Sequence, residues 1–83
     1  MGELSCLQNI GKVIEERLNG VGIFTVQQLK EAGSKDAFVR IRLKDPTICI
    51  NMLYAIDGAI EGVRWGNLSD AKKSELNAFY KTL

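Results

Sequence analysis

Apolar residues recur at helical spacing along the whole chain, and no stretch alternates with period two for long enough to read as a strand. The pattern predicts an all-α fold, a compact bundle of about five helices. A short first turn near residues 3 to 7 puts Leu4 and Leu7 on one side. Gly11 opens the next helix, in which Val13, Ile14, Arg17 and Leu18 share a face and Glu15 and Glu16 point outward; the run Asn19-Gly20-Val21-Gly22 ends it, with Gly20 or Gly22 as the cap. Thr25 and Gln28 have capping-box spacing, with Phe24 placed to staple onto Leu29.

Gly33 then stops that helix, and Ser34 caps another whose inner face is Ala37, Phe38, Ile41 and Leu43. Asp45-Pro46 predicts the start of the longest helix, because proline suits a first helical position. It carries Ile48, Cys49, Met52, Leu53, Ile56, Ala59, Ile60 and Val63, a band broad enough to run through the centre of the domain. The last helix follows Ser69 and presents Leu76, Phe79, Tyr80 and Leu83 on one side. Phe24, Phe38 and Trp65 are expected in the core, Trp65 closing it where the long helix ends.

Composition narrows the function. Eighty-three residues make one domain, 1–83, with no linker or internal repeat. Eleven Lys and Arg against ten Asp and Glu give a net charge of +1, which weighs against a dedicated polyanion binder. No basic-then-apolar leader or myristoylation signal is read at the N-terminus, and no apolar run is long enough for a membrane span, so the expected address is cytoplasmic without membrane contact. Cys6 and Cys49 read as buried free thiols. With no histidine, two cysteines cannot form a usual structural zinc site, and neither a metal nor a cofactor is expected.

The absence of histidine also removes the commonest general base and the Ser-His and Cys-His nucleophile pairs. Asp57 and Glu61, one turn apart, read as solvated surface, and a ligand or enzyme site built on them with Tyr54 stands as the weakest of three functional readings. A deep pocket at these side chains would revive it. Gly58 and Gly62 have the spacing that lets two helices approach closely.

The stretch Leu7-Gln8-Asn9-Ile10-Gly11-Lys12, followed by Leu18 through Leu29, resembles a helix-hairpin-helix module, giving the N-terminal half a SAM-like cast. Such a resemblance implies either a hairpin that packs two helices or a phosphate held without sequence readout by the amides opening the second helix. In the second case Asn9, Gly11 and Lys12 would hold the DNA backbone, joined by Arg40, Arg42 and Lys44 if those cations converge. Gln8 and Asn9 replace the most typical hairpin residues, although Asn tolerates a left-handed turn.

Further along, Gly22-Ile23-Phe24-Thr25, Leu29, Gly33, the run Asn51 to Ala59, Gly62 and Trp65 extend the match over nearly the whole chain. This resembles the C-terminal domain of the TfoX (Sxy) competence-regulator family. The resemblance implies a helical domain related to helix-hairpin-helix folds, with no catalytic residues to carry over. The family's N-terminal domain lies outside the match, so the activity of full-length members does not transfer. The preferred function is a non-catalytic protein-interaction or regulatory module, with a protein partner or self-association through an exposed apolar patch.

Overall fold

The chain was examined in a computed structural model that describes residues 3–83. Met1 and Gly2, part of the leader and lipidation expectation, lie outside the described residues. Four α-helices, α1 (Lys12–Asn19), α2 (Val26–Lys44), α3 (Ile50–Glu61) and α4 (Asp70–Lys81), are joined by 3-10 turns at Glu3–Cys6 and Trp65–Asn67, and no strand occurs among the described residues.

Four helices stand against the expected five or so, and within α2 Gly33 breaks the helical path as expected, its φ of 83° and ψ of 160° separating a run over 26–32 from one over 34–44. Neither run matches α3 or α4, which at 12 residues each are the longest unbroken helices. The later start of α3 has a local cause. Asp45 Oδ1 accepts from the Thr47 amide at 3.1 Å and from its hydroxyl, closing an Asx turn. Arg17 Nη1 bonds the other carboxylate oxygen of Asp45 at 2.7 Å. Asp45-Pro46-Thr47 is therefore a turn, and the helix begins only after Cys49.

Two glycines end helices as the left-handed residue of a Schellman motif. After α1 the Ile23 amide reaches Leu18 O at 3.0 Å and the Gly22 amide reaches Asn19 O at 3.1 Å; after α3 Val63 reaches Gly58 O at 2.9 Å and Gly62 reaches Ala59 O at 3.3 Å. Gly22 and Gly62 have φ of 86° and 77°, a region a Cβ disfavours. The cap after α1 is thus Gly22, and Gly20 stays right-handed.

At the start of α2 the capping box forms as spaced: the Gln28 amide donates to Thr25 Oγ1 at 3.0 Å while Gln28 Oε1 accepts from the Thr25 amide at 3.2 Å. Gln28 Oε1 also accepts from the Phe24 amide at 2.8 Å. Glu3 adds a cap from outside, accepting from the Val26 amide and tying the N-terminal turn to α2.

The core joins Leu4, Ile10, Leu18 and Ile23 from the N-terminal half to Leu29, Phe38 and Ile41 of α2, Leu53 and Ile56 of α3, and Leu76 of α4. Phe38 meets Tyr80 edge-tilted at 5.9 Å. Several expectations fail at the margins. Phe24 is 56% exposed, Leu43 82% and Val13 62%; Phe24 lies in the loop ahead of the α2 cap, and Leu43 and Val13 sit on outer flanks of α2 and α1. Cys6 and Cys49 are exposed thiols, at the end of the first turn and ahead of α3. Glu15 is buried instead of solvated, because its Oε2 accepts from the Ser5 amide at 3.1 Å.

Candidate functional site

Three surfaces carry chemistry. The first is the hairpin turn ahead of α1. Asn9 takes the left-handed conformation at φ 69°, and its side chain faces inward rather than outward. Asn9 Nδ2 donates to Val63 O at 2.9 Å and to Ala55 O at 3.4 Å, while Oδ1 accepts from the Trp65 amide at 3.1 Å. The amide of Asn9 thus bolts the hairpin to the loop after α3. Gly58 makes this approach possible: a Cβ there would stand 2.6 Å from Asn9 Nδ2 and 2.8 Å from Val63 O. The close approach foreseen at Gly58 is therefore to a turn and a loop, and Gly62 serves as a cap.

Gly11 and Lys12 follow on the solvent side. Gly11 is the N-cap of α1 in extended conformation, and no side chain caps the first-turn amides. An uncapped helix start presents amides and the positive end of the helix dipole. Beside it, Gln8, Asn9, Arg64, Trp65, Gly66 and Asn67 line an open recess of about 560 Å³. Trp65 is 44% exposed and lies parallel to Tyr54, at 6.1 Å and 7° between planes. It therefore covers Tyr54 on the side of α3 with one face instead of closing the core. The sequence motif led to Asn9, Gly11 and Lys12; Arg64 was missed, because only the Asn9 bridge brings it to the hairpin.

Arg40, Arg42 and Lys44 do not join this face as free cations. Arg40 bonds Asp36 at 2.8 Å, Arg42 sits 5.3 Å over the Tyr80 ring, and Lys44 Nζ donates to Gly20 O. Gly20 lies past the C-terminal end of α1, and eight helical residues span about 12 Å, which separates Lys44 from Lys12 by roughly that length.

The second surface is the junction of α2, α3 and α4. Asp57 is 4% exposed, against the expectation of a solvated carboxylate. Its Oδ1 accepts the Ser34 hydroxyl at 2.7 Å and faces Lys72 Nζ at 3.5 Å. Glu75 bonds Lys35 at 3.1 Å and lies 3.7 Å from Lys72. These groups and Glu61 line a recess of about 390 Å³.

A hydrogen bond with Asp57, then burial and the Asp57 charge, raise the Glu61 carboxyl above its ordinary pKa. Burial opposes the charge on Lys72, yet Asp57, Glu75 and Glu61 hold its pKa up. Tyr54 stacks on Trp65 and does not line this recess, so the three-residue site read from the sequence does not form one pocket. Ser34 and Lys72 are its actual companions, and neither had a signal along the chain beyond a cap position and an exposed lysine.

The third surface is apolar. Val39, Leu43, Pro46 and Leu83, with Arg42 at the edge, surround a recess of about 350 Å³. Among the described residues no group of three or more acidic or cysteine side chains is arranged to hold a metal ion, and no helix is long and apolar enough to cross a membrane.

Residues 1–80 match the TfoX C-terminal domain family. Protein Sxy of Escherichia coli (strain K12) is 32% identical over 73 residues, covering 88% of this chain and 35% of that protein, so the chain spans about a third of its relative. The triclinic crystal structure of an uncharacterised protein from Listeria monocytogenes is similar at a TM-score of 0.94 and 49% identity, covering 95% of this chain and 90% of that one. A tetragonal form of a protein of unknown function from the same organism gives the same TM-score and identity, covering 96% of this chain and 98% of that one.

Proposed function

Because this chain belongs to the TfoX C-terminal domain family, we propose that it is a non-catalytic regulatory module that works by docking a protein partner. The observation that carries this reading is Leu43, an aliphatic side chain 82% exposed at the edge of an apolar recess. Single exposed apolar residues are ordinary, but one that lies with Val39, Pro46 and Leu83 around a common hollow is the form of an anchor pocket.

Its size favours one occupant. A stable dimer buries about 800 Å² on each partner, more than four side chains offer, so the recess suits one apolar anchor of a short partner segment rather than a second copy. Arg42, held over Tyr80, supplies positive charge at the rim and favours a segment with acidic flanks. The absence of histidine from the chain and the engagement of Tyr54 by Trp65, outside the recess at Asp57, support a role without catalysis.

The test is a partner identified by cross-linking and then titrated as a purified protein. Leu43→Glu should weaken its binding at least about tenfold while Val13→Glu leaves it unchanged. A partner indifferent to Leu43→Glu overturns the reading.

A second reading rests on the uncapped start of α1. Gly11 amides and Lys12 would hold a DNA phosphate, with Arg64 across the recess and Asn9 holding the turn in place rather than touching the phosphate. Duplex binding seen by anisotropy at about 50 mM salt should collapse at about 200 mM and weaken with Lys12→Glu. Binding unchanged in both comparisons removes this reading.

A further inference from the structure

Three of the four arginines are engaged within the fold. Arg17 bonds Asp45, Arg40 bonds Asp36 and Arg42 lies over the Tyr80 ring. Arg64 has neither an ion pair nor an aromatic partner among the described residues. It stands beside the half-exposed Trp65 in the recess of about 560 Å³ ahead of α1. No carboxylate lines that recess, unlike the hollows at Asp57, Asp36 and Glu16. Lys73, whose Nζ donates to Gly66 O at 3.3 Å, adds a second positive charge at its edge. A free guanidinium, a field without counter-charge and an exposed aromatic ring are thus gathered in one place.

The ring is set in advance. Its backbone amide donates to Asn9 Oδ1 at 3.1 Å, its carbonyl accepts from the Leu68 amide at 3.3 Å, and Tyr54 covers one face of the indole. Gly66, the next residue, has open space where a Cβ would stand. A large aromatic side chain held in one pose at the surface loses little freedom when a second flat ring comes onto it. Gln8 and Asn67 put side-chain amides on the same rim, each with a donor and an acceptor.

We propose that this recess takes one unpaired nucleotide of a single-stranded nucleic acid, its base stacked on Trp65 and its phosphate on Arg64. Stacking serves any base, because every base has a π-face, and the amides of Gln8 and Asn67 can meet donors or acceptors on its edge, so the site reads no sequence. The planar guanidinium fork suits a phosphate. The bases of an intact duplex are paired inside the stack and cannot reach the platform. A proline-rich peptide fits less well: such segments dock into aromatic-lined grooves, and here Tyr54 lies in the Trp65 stack and does not line the recess. The site needs neither the Gly11 amides nor Lys12, shares only Arg64 with the duplex reading and shares nothing with the hollow at Leu43, so it stands or falls separately from both.

The test titrates the whole chain with an oligothymidylate of about eight nucleotides, end-labelled for anisotropy and unlabelled for Trp65 fluorescence. A dissociation constant of about 100 µM at about 50 mM salt is expected, with Trp65 quenched and a loss of only about three- to sevenfold at about 200 mM salt, since one or two phosphates are engaged. An abasic strand of the same length keeps the phosphates and should bind about tenfold more weakly, without quenching.

Trp65→Leu should weaken the oligothymidylate about tenfold, while Trp65→Phe, which keeps a flat ring, costs less than about threefold. Arg64→Gln should weaken it about fivefold, with circular dichroism confirming that each variant is folded. The proposal is overturned if the abasic strand binds as tightly as the oligothymidylate, an outcome that leaves the phosphate reading at α1 standing. It is overturned equally if Trp65→Leu binds as the parent does, if no strand binds by about 1 mM, or if a proline-rich peptide quenches Trp65 where the strand does not.

Discussion

Asn9 and Asp57 are both polar side chains that join separate parts of the chain, and they differ in the partners they hold. Asn9 spends its donor group and its acceptor on three backbone groups of the segment around α3. Asp57 holds side chains instead, Ser34 and Lys72 on one oxygen and the Glu61 carboxyl beside them. A polar group bonded to backbone acts alike at every pH, whereas one bonded to titratable side chains ties its contribution to their protonation.

The strongest way to break the comparison is at Gly58. Gly58→Ala should gain about 1 kcal/mol of helix propensity but drive a methyl group into Asn9 and Val63 O, with a net loss of about 2 kcal/mol or more. Urea unfolding would measure it, and a neutral result would mean that the hairpin and loop yield easily. Asn9→Ala should follow at about 2 kcal/mol, because it strands the Val63 carbonyl and the Trp65 amide.

Asp57→Asn should change stability by only about 1 kcal/mol: it keeps an acceptor for Ser34, loses the Lys72 pair and removes a buried charge. A loss as large as that of Asn9→Ala would show that Asp57 matters to the fold as much as Asn9 does. The smallest effect is that of pH. The raised Glu61 pKa contributes stability that is fully present below the ordinary carboxyl value of 4.5 and is lost as pH rises through the folded-state value above it. Glu61→Gln should flatten the difference between wild-type stability curves taken at acid and neutral pH.

What the sequence made legible was local. Thr25 and Gln28 lie three residues apart, so their capping box could be read directly, and the same holds for Ser69 ahead of α4, while the cap after α1 was narrowed to Gly20 or Gly22. The errors came where a distant group decided. Glu15 is buried by an amide in the first turn, and Asp45-Pro46 became a turn because Thr47 and Arg17 hold the carboxylate. Asp57 looked like surface because its partners sit on two other helices. The motif drew attention to Asn9, Gly11 and Lys12, but the inward aim of Asn9 depends on Gly58 and the loop beyond it, which no local pattern encodes.

Trp65 is the chain's one tryptophan, half in solvent, stacked on Tyr54 and anchored through its amide to the hairpin turn. Its fluorescence is consequently a built-in gauge of that corner alone. A phosphate arriving at Gly11 and Lys12 beside Arg64 would change its colour or quenching, while a segment seated at Leu43 would leave it unchanged. The protein can thus report, without a label, whether the corner ahead of α1 has been engaged.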